Sequence, residues 1–202
     1  SATFFLASFV LALAPGPDNI FVLTQAALRG KIAGLAVTFG LCTGLIVHTT
    51  AVALGIAVIF KTSAVAFTIL KSLGACYLLY LAWQAFRTSA GSLSLGNKSD
   101  LSVARLYRRG IIMNITNPKV SIFFLAFLPQ FASPARGPLT PQIIYLGLIF
   151  IMATILVFGT IAFLAGTLGE WLTRSTRTRM ITNRIAGGIF VCLALKILTL
   201  RQ

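Results

Sequence analysis

Two charged residues stand inside long apolar runs: Asp18 in Pro15-Gly16-Pro17-Asp18-Asn19, and Lys119 in Asn114-Ile115-Thr116-Asn117-Pro118-Lys119. A carboxylate and an ammonium are the groups that recognise the two ends of a zwitterion, and a carboxylate can also carry a proton. Both segments follow one pattern. Proline removes a backbone donor and crowds the preceding turn, so a helix kinks or stops there. Gly16 or Asn117 can then cap a new helix whose first residue is Pro17 or Pro118. The spacing predicts that 15–18 and 116–119 are helix breaks, with Pro15, Gly16, Pro17 and Pro118 making them.

The depth of the two charges follows from counting. Asp18 lies 11 residues before Arg29, and Lys119 lies 10 after Arg109. At about 1.5 Å per residue, each sits roughly 15 Å from a basic boundary, the middle of a hydrocarbon layer about 30 Å thick. Two restarted half-helices then begin at one depth, their partially positive ends suited to a carboxylate. Asp18 suits a helix N-terminus, whereas Lys119 opposes the local dipole. Each charge costs about 2.5–3.5 kcal/mol at bilayer centre on insertion scales. Lys119 therefore needs a partner, and Asp18 is the acidic residue expected at that depth. Asn19, Asn114 and Asn117 join these two as substrate-binding candidates. Thr43, Thr49 and Asn114 can line a cavity or bond neighbouring helices. His48, the only histidine, can relay protons, although a buried, hydrogen-bonded ring is the simpler reading. Tyr80 and Trp83 read as interface anchors, with Tyr80 also a cavity candidate.

The elements that hold these residues are apolar to a degree that excludes a soluble domain. The 202 residues are 57% hydrophobic and 10% charged, with mean hydropathy +0.94; soluble domains average about 25% charged. Residues 32–60 and 143–168 contain one His and no Asp, Glu, Lys or Arg. The pattern predicts an all-α integral membrane protein with six transmembrane helices near 3–28, 32–60, 64–87, 110–131, 141–169 and 182–200. Ala12-Leu13-Ala14 resembles a signal cleavage site. However, no basic segment precedes it and the apolar run resumes at Ile20, so it reads as part of an interrupted first span.

The net charge of +14 does not imply nucleic acid, because the basic residues sit in short loops without aromatic interleaving. Arg29 and Lys31, then Arg87, Lys98, Arg105, Arg108 and Arg109, then Arg174, Arg177, Arg179 and Arg184 mark one side. Lys61, Arg136 and Arg201 mark the other, with Lys71 and Lys196 just inside their spans. The first side is expected to be cytoplasmic, which puts both termini outside. Cys42, Cys76 and Cys192 occur singly, which suggests neither a disulfide framework nor a zinc site. No intramembrane Ser-His, paired-Asp or metal-ligand set is visible, so neither an enzyme nor a cofactor is expected.

The second half echoes the first. Pro17-Asp18 matches Pro118-Lys119. Thr43, Thr49 and Gly55 match Thr154, Thr160 and Gly166. Lys71-x-x-Gly74-x-x-Tyr77 matches Arg184-x-x-Gly187-x-x-Phe190. Three spans per unit is odd, so the expected architecture is two inverted three-helix repeats, 1–87 and 110–202, joined by a cytoplasmic linker, 88–109, with helices one and four broken. Inverted repeats place a substrate site at their interface near midplane.

The chain resembles the lysine exporter and homoserine/threonine efflux family, the LysE/RhtB group. The resemblance rests on Pro15-Gly16-Pro17-Asp18, Arg29-Gly30-x3-Gly34-Leu35, Tyr77-Leu78-Leu79-Tyr80-Leu81-x-Trp83, Asn114-x-x-Asn117-Pro118-Lys119 and Phe127-Leu128-Pro129-Gln130-Phe131. It implies a bacterial inner-membrane exporter of amino acids or close derivatives, of the homoserine/threonine type or for other neutral amino acids. Transport would run by alternating access and be driven by a proton or ion gradient, in antiport. Members carry Asn or Asp at the position of Asp18. The partners then expected are an amino-acid substrate, a coupling proton or cation and the lipid bilayer; a homo-oligomer is compatible. The rival class, a divalent-cation transporter or channel, usually wants several carboxylate, thiolate or imidazole ligands, and only Asp18 lies at depth.

Overall fold

The computed structural model describes residues 2–14, 16–62 and 102–168, together with eight helical positions between Ser72 and Arg87 and six between Arg184 and Leu195. Everything described is helix or helix connection. In chain order the elements are α1 (Ala2–Leu13), α2 (Pro17–Arg29), α3 (Lys31–Thr62), α4 (Val103–Thr116), α5 (Pro118–Ile122) and α6 (Leu139–Leu168). After α5 the chain widens into a π-helical turn, Phe123–Phe127, then tightens into a 3-10 turn, Leu128–Phe131. Pro129 has no N–H for the Leu125 carbonyl and its ring crowds that oxygen, so regular α geometry does not continue. Most of the expected third and sixth spans, and of the 88–109 linker, lies outside the described residues.

The helices α3 and α6, of 32 and 30 residues, each contain a stretch long and apolar enough to cross a membrane, Lys31–Gly55 and Leu139–Gly166. Two bent pairs pass the same test together: α1 with α2, at 61°, and Val103–Thr116 with Pro118–Phe131, at 52°. The chain is thus an all-α, multi-pass membrane protein, with two spans among the described residues, or four if each bent pair is one span. The fourth helical segment starts earlier than its hydropathy suggested. Ser102 caps α4, its hydroxyl accepting from Arg105 N at 3.4 Å, so residues 103–109 are helical. Leu106 faces inward while Arg105, Arg108 and Arg109 stay exposed; charge on the outer face of that turn hid the helix.

Long α3 organises the packing, against α4, α6 and α2; α1 lies against α6. Thr140 reaches Ala53 O at 3.5 Å, and an added Cβ on Gly166 would strike Lys31, so α3 and α6 are antiparallel. Gly40 meets Tyr107 and Gly110, and Gly44 meets Asn114, so α3 and α4 are parallel. At Gly40 and Gly110 the two helices approach backbone to backbone. A Cβ on Gly40 would overlap the Tyr107 carbonyl, and one on Gly110 would sit on the Val37 carbonyl. Small residues permit such approaches where apolar burial gives little drive between helices in lipid. On α6, Ile144, Tyr145, Leu148, Met152, Ile155 and Phe163 form an exposed apolar face opposite buried Ile143, Phe150, Ala153 and Phe158, as expected of a helix whose outer solvent is hydrocarbon.

Two buried clusters flank the helix breaks. One centres on Phe4, Phe123, Phe124, Phe127 and Phe150, the other on Val22, Ala26, Val37, Leu41, Phe158 and Ala162. In the first, the Phe123 ring stands 4.5 Å from Phe127 and 5.2 Å from Phe150. Gly110→Leu should separate α3 from α4. The expected result is a loss of about 1–3 kcal/mol from overpacking, read as a lower temperature of aggregation in detergent. Ile112→Leu, on the exposed side of α4, should leave that temperature unchanged.

Candidate functional site

The first break leaves the end of α1 with carbonyls that no following turn can serve. Ala14 N still reaches Val10 O at 2.8 Å, but the next acceptors must look elsewhere. Asn19, one turn into α2, folds back and donates its Nδ2 to Ala12 O at 2.6 Å. Lys119 supplies the rest from the other break, its Nζ donating to Leu11 O at 3.1 Å and to Ala14 O at 3.0 Å. On the far side, Gly16 is extended (φ −163°, ψ 179°) and opens α2, with Pro17 as first residue and Asp18 in the first turn. A Cβ on Gly16 would lie 3.2 Å from Lys119 Nζ, so the absence of a side chain there lets the ammonium in. Pro15 lies outside the described residues.

The second break is capped from within. Asn117 ends α4 and begins α5; its Oδ1 accepts from Lys119 N at 3.0 Å, and its own N donates to Asn114 O at 3.1 Å. Pro118 is the first residue of α5. Lys119 thus sits in a first turn whose dipole disfavours it, while its head reaches the C-terminal, partially negative end of α1, which favours it. Charge-assisted bonds to two otherwise orphaned carbonyls are worth more than neutral ones. The partner expected for this lysine was Asp18. The two side chains line the same cavity, but the hydrogen bonds of the ammonium go to carbonyls, and Asp18 Oδ1 is buried with no partner among the described residues.

Asp18 and Lys119 line one small, partly open cavity, with room in this conformation for about one water, together with Asn114, Thr154, Phe150 and Phe158. Its polar walls are buried: Asp18 is 3% exposed, Asn114 and Thr154 2% each, Lys119 8%. Three of these walls present an atom unpartnered among the described residues: Asp18 Oδ1, Asn114 Oδ1 and Thr154 Oγ1. Asn117 lies beside Asp18, and its Nδ2 is a buried donor, also unpartnered there. Buried polar atoms are nearly always satisfied, so such a concentration calls for an explanation.

The remaining candidates do not line this cavity. Thr43 donates to Phe39 O at 3.1 Å and shares a 2.8 Å bond with Tyr107 Oη, tying α3 to α4. Thr49 bonds back to Leu45 O and packs on Gly147. His48 Nε2 donates to Asn114 O at 3.2 Å, its ring 5.6 Å from Phe124, so it supports the element that carries Asn114. Tyr80 is half-exposed beside Trp83. Asn19 is a strut across its own break, though its Oδ1 is unpartnered among the described residues. Thr154 was missed as a site residue: it appeared only as the repeat mate of Thr43. Its signal is structural. Thr38, Thr49 and Thr160 each donate to the carbonyl four residues back, whereas the Thr154 hydroxyl does not.

Residues 9–201 match the LysE type translocator family. The chain belongs to this family. LysE-type proteins are translocators, so the chain is a transporter and not an enzyme. A homoserine/homoserine lactone efflux protein of Salmonella typhi is 34% identical over 93% of this chain and 90% of its own length. Its counterpart in Salmonella typhimurium shows the same figures, and an uncharacterized membrane protein of Vibrio cholerae is 34% identical over 93% of this chain and 91% of its own. No solved structure matches the chain significantly. The family match spans both breaks.

Asn117→Ala should remove the cap of α5 and cost about 1 kcal/mol, read as a lower unfolding temperature, while Asn117→Ser, which keeps an acceptor, should recover most of it. Equal losses in the two variants would mean that the cap does not hold the break.

Proposed function

We propose that this LysE-type translocator is a secondary exporter of amino acids or close derivatives, working by alternating access in a bacterial inner membrane. One observation carries the reading: an acid and a base from two helix breaks, both buried side chains, line the same small cavity. The substrate carboxylate meets Lys119, the N-terminus of a half-helix and Asn117 Nδ2. The ammonium meets Asp18 and the carbonyls at the end of α1. Asp18 is also the group that can carry a coupled proton. The Salmonella relatives' name pairs homoserine with its lactone, so homoserine-type substrates come first for testing.

The architecture proposed around the site is six spans in two inverted repeats with both termini outside. The parallel course of α3 and α4 and the antiparallel course of α6 are those required of spans two, four and five. Lys31, just after the end of α2, lies over the Phe163 ring (4.8 Å) near the end of α6, in keeping with one basic face. Reporter fusions after Arg105 and after Arg136 should report cytoplasm and exterior respectively; fusions on one side would sink the inverted-repeat architecture.

The function is tested by release of radiolabelled homoserine and the twenty common amino acids from preloaded vesicles. Lys119→Ala should abolish release, with no rescue by more substrate. Asp18→Asn should be milder and should flatten the pH profile, since it keeps the shape and removes the titratable group. Replacing both members of a buried charge pair with apolar residues is often tolerated structurally. The double variant Asp18→Leu/Lys119→Leu avoids a lone buried charge but leaves the Leu11 and Ala14 carbonyls without their donor, so it should be inactive and somewhat less stable; full export by that protein would refute the site.

A further inference from the structure

Among the walls of the cavity the unpartnered atoms are mostly acceptors; the buried donor beside them, Asn117 Nδ2, is not one of those walls. Asp18 Oδ1 and Asn114 Oδ1 can only accept. The Thr154 hydroxyl is free to do either, and all three lack partners among the described residues. Around them, the Leu11 and Ala14 carbonyls also accept, and the group that satisfies those two is an ammonium, Lys119 Nζ. A ring of acceptors with an alkylammonium at its edge has the chemistry of a primary-amine site. The chain supplies its own example of the ligand.

We propose that Lys119 is a tethered stand-in for the substrate amine. An incoming ammonium takes the Leu11 and Ala14 carbonyls with Asp18, Asn114 and Thr154, and the displaced Lys119 head turns to the carboxylate. This rests on the export reading and deepens it, because it makes the amine the recognised group and the carboxylate the one that retains Lys119 in its second position. The exchange is balanced. One ammonium leaves two carbonyl bonds and another arrives, no proton or covalent bond changes hands, and the net charge of the site rises only by that of the ligand. Gly16 gives the swap its room, since the Lys119 head passes where a side chain would stand. Thr154 and Asn114 become residues that position the amine, and the Thr154 hydroxyl is not needed for folding. An unpaired buried hydroxyl contributes nothing to stability, and replacing it by a methyl group of the same shape is neutral or stabilising.

The test uses reconstituted full-length protein and the amino acid released best in the vesicle panel. Two analogues compete from the inside: its carboxamide, which keeps the amine, and the 2-hydroxy acid with the same side chain, which keeps the carboxylate. The carboxamide should compete at least about tenfold better than the hydroxy acid, because hydrogen bonds to a charged group are stronger than those to a neutral one. Thr154→Val should raise the KM for export about tenfold, the loss of one such bond, without lowering the unfolding temperature. Lys119→Met removes the stand-in, so in direct equilibrium binding to the purified protein the carboxamide should bind no more weakly than before while the amino acid loses its advantage over the carboxamide. Hydroxy acid competing as well as carboxamide, or a Thr154→Val protein that is less stable with unchanged KM, overturns the proposal. A wild-type protein that releases no amino acid from the panel overturns the export reading instead, so the two failures are distinct.

Discussion

A backbone carbonyl in hydrocarbon must find a donor inside the protein, and the structure around the first break is organised by that demand. Stopping α1 at Leu13 creates acceptors that water cannot reach. The chain answers from two directions, with Asn19 from the next turn and Lys119 from a residue 108 positions away from Leu11. The second answer requires that α5 begin close to α1, which in turn requires that α4 bring its end to that depth. Lys119 is thus a cross-brace between the two halves as well as a charge. A buried ammonium without such carbonyls would carry its full desolvation cost.

The close approach of α3 to α4 serves the same end. Gly40 and Gly110 let the backbones touch, and a Cβ on Gly44 would lie 2.6 Å from Asn114 Oδ1. Glycine there leaves the Asn114 side chain space beside the cavity, while His48 holds the same residue through its backbone oxygen. On the other flank, Phe150 both lines the cavity and packs on Phe123 and Phe124. The π turn carries those two rings, and such turns recur at functional sites because they re-aim side chains that a regular helix would point elsewhere.

Much of this was legible in the residues. Proline next to a capping residue, twice, announced both breaks, and the charge after each marked two residues that line one cavity. Hydropathy announced the long helices. What pattern did not reveal was the partner of Lys119, since carbonyls carry no sequence signal and an acidic side chain does. The start of α4 was hidden because charged residues on an outer face lower hydropathy without preventing a helix. The repeat was informative but not symmetric in use. Thr43 and Thr154 match in sequence, yet one is spent on Tyr107 and the other faces the cavity. Matching positions in the two halves meet different neighbours, so the sequence echo gives candidates and the packing chooses among them.

The same asymmetry bears on how a carrier avoids holding its cargo too well. An exporter that met a zwitterion with a ready-made pair of opposite charges would bind tightly and release slowly. A lysine already bonded to carbonyls changes that balance, because the ligand gains those bonds only as the protein gives them up. Most of the interaction is then exchanged, and the net gain is left to the atoms that have no other partner among the described residues: Asp18 Oδ1, Asn114 Oδ1 and Thr154 Oγ1. Reversal needs only that the tethered amine return. A tethered group is always present at high effective concentration, so release on the far side does not depend on a second molecule. In the proposed exchange, Gly16, Asn117, Pro17 and Pro118 serve to keep the carbonyls and the lysine within reach of each other.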